Sequence, residues 1–111
     1  KGTQINDRLE EELFQYCING PQAQKRTQIV TGACLTEEGF HFFRFQSFID
    51  HLGNSWKIPE EKIAQKLKDR CKVEFNVSLN VEGKTIKVCT VKQLEIKQIE
   101  YKVTERTNNN Y

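Results

Sequence analysis

The sequence predicts an α+β fold of three helices and two short β-hairpins, and three of its features carry that prediction. Within Gly39–Leu52 the hydrophobic period changes: Phe40, Phe42 and Phe43 suit a short buried strand. Phe45, Phe48, Ile49 and Leu52 then follow the i, i+3, i+4, i+7 spacing of one helix face. Pro59-Glu60-Glu61 is a helix start, because proline is preset for the first position and acids favour the positive end. From Val73 onward, Val73, Phe75, Val77 and Leu79 alternate with polar residues, and Ile86 and Val88 return after Glu82-Gly83-Lys84. Strict alternation around a glycine turn reads as a hairpin.

The elements can be justified in order. The first helix is expected over Asp7–Ile18, where Leu9, Leu13 and Cys17 recur every four residues and Phe14 and Ile18 widen the stripe. Asn6 or Asp7 would cap it, with Glu10, Glu11 and Glu12 near its start, and Asn19-Gly20-Pro21 ends it. Pro21–Arg26 reads as a polar connection. Thr27–Leu35 is a candidate strand, weakened by Gly32 so that its paired part could be Ala33–Leu35 alone. Thr36–Gly39 is a turn into Phe40–Arg44, and the second helix runs from Gln46 to Leu52 with Gly53 as its C-cap. Asn54–Ile58 links it to the third helix, which should reach Arg70 and bury Ile63, Ala64 and Leu67. Leu94–Val103 reads equally as strand or as an imperfect helix. Residues 1–106 are expected to form one domain, with 107–111 as a polar tail.

Composition narrows the function classes. The chain has 111 residues, 37% hydrophobic and 29% charged, which describes a folded globular domain. No apolar run approaches the roughly 18 residues of a membrane helix. The chain starts with Lys and has no signal peptide, so a cytoplasmic domain cut from a larger polypeptide is expected. Net charge is +2, unevenly spread: residues 57–92 carry nine Lys/Arg against five acids. That concentration suits a polyanion, or simply a solvated helix face.

Cys17, Cys34, Cys71 and Cys89 contain no CxxC spacing, so zinc-ribbon and redox patterns are missing. Each sits among apolar residues, which favours buried free thiols, although two disulfides would remain possible in a secreted binding domain. His41 and His51 have no neighbour at a spacing that implies a catalytic triad or a complete metal site. No phosphate-cradling glycine motif occurs. The expectation is therefore a non-enzyme without cofactor or metal.

What remains is the order of the elements: strand, helix, short linker, basic helix, two-stranded hairpin. That is the order of a winged helix-turn-helix, in which the second helix of the pair enters a major groove and the hairpin reaches phosphates. In this reading Lys62, Gln65, Lys66, Arg70 and Lys72 on or after the third helix bind nucleic acid, with Lys84 and Lys87 on the wing. The alternative is a winged helix that binds protein and assembles a replication or transcription complex.

Gly39–Trp56, Ile63–Phe75 and Val81–Val91 also resemble the winged-helix module near the C-terminus of phage and mobile-element primase–helicase proteins. That module has an aromatic strand ending in Phe-Arg, a helix with Phe and Leu on one face, a second helix and a Gly-Lys hairpin. The resemblance covers about residues 33 to 92. The tryptophan that closes the family's wing is missing, and Lys87-Val88-Cys89 stands there. The resemblance implies DNA as the partner and ATPase or polymerase chemistry elsewhere in a parent replication protein, whose other domains are further expected contacts. The basic surface of residues 57–92 predicts that the DNA binding is weak and salt-dependent.

Overall fold

The computed structural model describes residues 5–53 and 56–108, with side chains over 8–53 and 56–105. Asn6 and Asp7, expected as caps, fall inside the first helix, and the middle of the linker at 54–55 and the last three residues of the tail lie outside what is described.

The first helix, α1 (Ile5–Phe14), passes directly into a π-helical turn, Gln15–Asn19. The turn shifts the phase of the stripe. Tyr16 and Cys17 are buried, whereas Ile18, expected in the core, is 43% exposed. Because α1 begins at Ile5, Glu10 is mid-helix and not in the first turn as expected. It faces inward and is only 2% exposed.

The polar connection contains a two-residue strand, β1 (Gln22–Ala23). The strand expected within Thr27–Leu35 is instead a 3-10 segment, Arg26–Thr31, ended by Gly32 at φ 108°. Gln28 explains why: its Oε1 accepts from the backbone N–H of Gln24 and of Lys25 and closes a local cap. Only Ile29 of that segment is buried, so the chain lacks the alternation that a strand needs. Pairing starts at β2 (Cys34–Glu37) and returns in β3 (Phe40–Phe43).

Next come α2 (Phe45–Leu52), α3 (Glu60–Cys71), β4 (Glu74–Val81), β5 (Lys84–Lys92) and α4 (Gln93–Asn108). Gly53 closes α2 as expected, its N–H donating to Ile49 O at 3.2 Å. Both hairpins turn on two residues with positive φ, Glu38-Gly39 and Glu82-Gly83, which is the type I′ pattern that matches strand twist. The first turn is thus shorter than expected, with Thr36 and Glu37 inside β2.

The expected count of three helices is exceeded by α4. Ile96, Ile99 and Val103 form its inner face, and Leu94 lies outside at 62% exposure, which is why no clean face was visible in the sequence. The helix continues to Asn108, two residues into the expected tail.

Among the described residues the strands form one mixed sheet in the order β1-β2-β3-β5-β4. The β1–β2 pair is parallel and the other pairs are antiparallel. The result is an α+β fold with the helices gathered on one face. Phe43, Phe48, Leu13, Leu67, Cys89, Val91 and Ile96 meet in that helix-side core. On the opposite face Ile29 packs with Leu35, Leu79, Val81 and Val88. No described helix is long and apolar enough to cross a membrane.

Candidate nucleic-acid interface

Helix α3 is held by Ile63, Leu67 and Cys71, which are buried, so the opposite side of the helix is open. Lys62 and Gln65 are exposed there and Lys66 is half-buried. With Glu61 and Asp69 they line a shallow depression of about 410 Å³. Gln65 Nε2 donates to Asp69 Oδ2 at 3.0 Å, so its amide is already engaged. The centre of this face carries two acids against two lysines, which is a nearly neutral surface.

Lys62, Lys66 and Arg70 recur every four residues, which suggests a basic row along α3, but Arg70 does not extend it. A spacing of four advances about 40° past a full turn, so Lys62 and Arg70 differ by about 80° around the axis. Arg70 therefore reaches α1, where its Nε lies 3.9 Å from Glu10 Oε2. Lys102 Nζ of α4 lies 3.5 Å from the other oxygen, Glu10 Oε1. A carboxylate this buried needs its partners, because leaving one charge unpaired in the interior is strongly destabilising. Arg70 and Lys102 thus tie α3 and α4 to α1.

Lys72 caps the C-terminus of α3 in the left-handed conformation, φ 62°, and is exposed. It borders a separate cleft of about 180 Å³ with Phe40, Glu74, Thr90, Lys92 and Glu95. On the hairpin, Lys87 Nζ donates to Ser78 Oγ at 2.8 Å across the strand pair. Alternation places Lys87 on the same face as Cys89, toward the helices, and Lys84 on the face of Ile86 and Val88. The two wing lysines therefore look in opposite directions.

Lys68 was not singled out in the sequence, yet its ammonium sits 6.0 Å over the ring of Phe75 on β4. That cation–π contact holds it in the corner between α3 and the hairpin. The same side of β4 carries Ser78, which holds Lys87. Asn76, at φ 61°, falls where the β4–β5 register shifts, so a bulge bends the hairpin between these two points. The signal that could have found Lys68 is its position relative to Phe75, and that is visible only once helix and strand are packed.

Lys68 and Lys87 thus stand at the corner between α3 and the hairpin, Lys62 and Lys66 lie on the neighbouring outer face of α3, Arg70 belongs to the α1 junction, and Lys72 and Lys84 lie apart. Among the described residues no group of three or more His, Cys, Asp or Glu side chains is placed to hold a metal ion. Compared with known proteins, the chain matches no family model, no curated protein and no solved structure.

Proposed function

We propose that the chain is a winged-helix domain that binds nucleic acid along its phosphates, led by the corner between α3 and the β4–β5 hairpin. The observation that carries this reading is the strand order β3-β5-β4, with α2 and α3 inserted between β3 and β4. The strand before the helix pair adds to the far strand of the hairpin after it, so hairpin and α3 share one side, as a wing and recognition helix do. The acids at 61 and 69, toward the two ends of α3 on its open face, disfavour deep insertion into a groove. Contacts through Lys68 and Lys87 at the corner, with Lys62 on the outer face of α3, favour backbone binding without base readout. By the resemblance above, the domain would serve a larger replication protein of primase–helicase type.

The test is a titration of a labelled DNA duplex and a single strand between about 50 and 200 mM salt. Three phosphate contacts give a log–log slope of about −2.7 on duplex, with Kd in the range of roughly 10⁻⁴ to 10⁻⁶ M. Lys68→Glu with Lys87→Glu should flatten the slope to about −0.9. Binding that ignores salt, or a double variant that binds like the wild type, overturns the reading. A protein-binding role is the second reading, and it is favoured by Leu94 and Tyr101, 62% and 71% exposed on α4.

A further inference from the structure

A second cluster of buried polar groups lies at the joint between the π-helical turn and the sheet. Cys17 and Cys34 are fully buried and His41 is 2% exposed. The backbone brings the two thiols together. Gln22 is the parallel partner of Cys34, and its Nε2 donates to Cys17 O at 2.8 Å. The N–H of Cys34 donates to Pro21 O at 2.9 Å. The chain leaving the turn is therefore folded onto β2, which sets Cys17 beside Cys34 in one buried core, where a hydrogen bond between the thiols shifts both.

From β3, His41 faces Thr36 of β2, with Nδ1 2.8 Å from Thr36 Oγ1. It gives Cys34 a second hydrogen bond. The Cys17 thiol and, after it, His41 hold Cys34 below the ordinary thiol range despite its burial. The same bond to Cys34, with burial added, keeps the proton on Cys17. Cys71 and Cys89 are different: burial pushes both up to about 12. One sulfur is thus prepared to react, and a second touches it.

We infer that Cys17 and Cys34 are a modification site, forming an intramolecular disulfide with a peroxide-class oxidant. The Cys34 thiolate attacks one peroxide oxygen and the O–O bond breaks, leaving Cys34 sulfenic acid and, after protonation, water. The Cys17 sulfur then attacks Cys34 sulfur, the S–O bond breaks, and the Cys17 proton leaves with the hydroxyl as a second water. Two thiols lose two electrons and hydrogen peroxide is reduced to two waters. Tyr16, the residue before Cys17, lines an open cleft of about 410 Å³, and local opening at that wall is the route in. Because both sulfurs are covered, reaction needs local opening and is slow compared with an exposed thiol. The site is independent of nucleic-acid binding.

The experiment exposes the native protein to hydrogen peroxide, then unfolds and alkylates it. Free thiols should fall from four to two, dithiothreitol should restore them, and peptide mass mapping should show one cross-link, Cys17–Cys34. Cys89→Ser should fall from three to one. The oxidised protein should also melt several degrees higher, because the bond restricts the unfolded chain. Four thiols surviving, a cross-link to Cys71 or Cys89, or over-oxidised Cys34 beside a free Cys17 would each overturn the inference. Protein oxidised while unfolded supplies the mixed pairings for comparison.

Discussion

The two faces of the sheet are held in opposite ways. On the helix side, four helices converge on many buried side chains, including Tyr16, Phe43 and Phe48, whose rings meet edge-to-face or tilted at 5.7 to 6.2 Å. On the other side a single 3-10 segment lies across the strands, and Ile29 is its one buried residue. Arg26 pins that segment at both ends of the face, bonding Glu37 at 2.7 Å and Asn80 O at 2.9 Å. One face is stabilised by redundancy and the other by a plug. The difference predicts where a change is shared out and where it is local.

The largest effect is expected from Phe48→Ala, which empties the centre of the helix side. Chemical denaturation should show a loss of about 3–5 kcal/mol, a large part of what a domain this size possesses. A loss under about 1 kcal/mol would mean that the helices can collapse into the space.

Ile29→Ala attacks the plug. It should cost about 3 kcal/mol, the middle of the range for a buried aliphatic side chain. Its signature is local, with faster amide exchange over Arg26–Thr31 before the rest of the sheet responds. Uniform exchange across both faces would show that the second cluster is part of one cooperative core.

Alkaline pH tests the helix side through its thiols. Cys71 and Cys89 are raised from 9.0 to about 12, mainly by burial. Above pH 9 the unfolded chain releases these protons and the folded chain does not, so rising pH favours unfolding. Each thiol should remove roughly 1.4 kcal/mol per pH unit until pH reaches the folded value. Denaturant midpoints at pH 8 and 10 measure this, and Cys71→Ala with Cys89→Ala should flatten the dependence. An equal fall in that variant would assign it to other groups.

The smallest effect is expected from Arg26→Ala. Its ion pair with Glu37 is about two-fifths exposed on each partner, where solvent screens most of the attraction. The global midpoint should stay within experimental scatter while exchange at Arg26–Thr31 quickens. A clear drop in midpoint would make Arg26, not Ile29, the fastening of that face.

Legibility in the sequence follows period and locality. The second helix, its Gly53 cap and the β4–β5 hairpin could be read because their apolar residues repeat at the period of the element and the turn glycines stand where a positive φ is needed. Tyr16 and Ile18 were exchanged by a π-helical turn that no composition announces. Glu10 looked like an N-terminal acid because the helix start was placed late. Arg70 looked like the end of a basic row because a spacing of four hides its 40° drift per step. Lys68 needed Phe75 from another element before it had a place. What escaped was either a local shift of helical phase or a side chain whose place depends on a partner distant in sequence.

The left-handed residues have a consequence of another kind. Glu38, Lys72 and Glu82 adopt φ of 53°, 62° and 51°, a region that costs a side-chain-bearing residue about 1 kcal/mol and glycine almost nothing. Asn76, the fourth, belongs to a residue type that tolerates it. Three charged side chains therefore sit where the backbone would rather have none, two at hairpin tips and one at the mouth of α3. The domain lies off its stability optimum at those points, and glycine at any of them would relieve that cost while erasing a surface charge. At Lys72, at the end of the proposed recognition helix, stability and charge pull on the same residue in opposite directions.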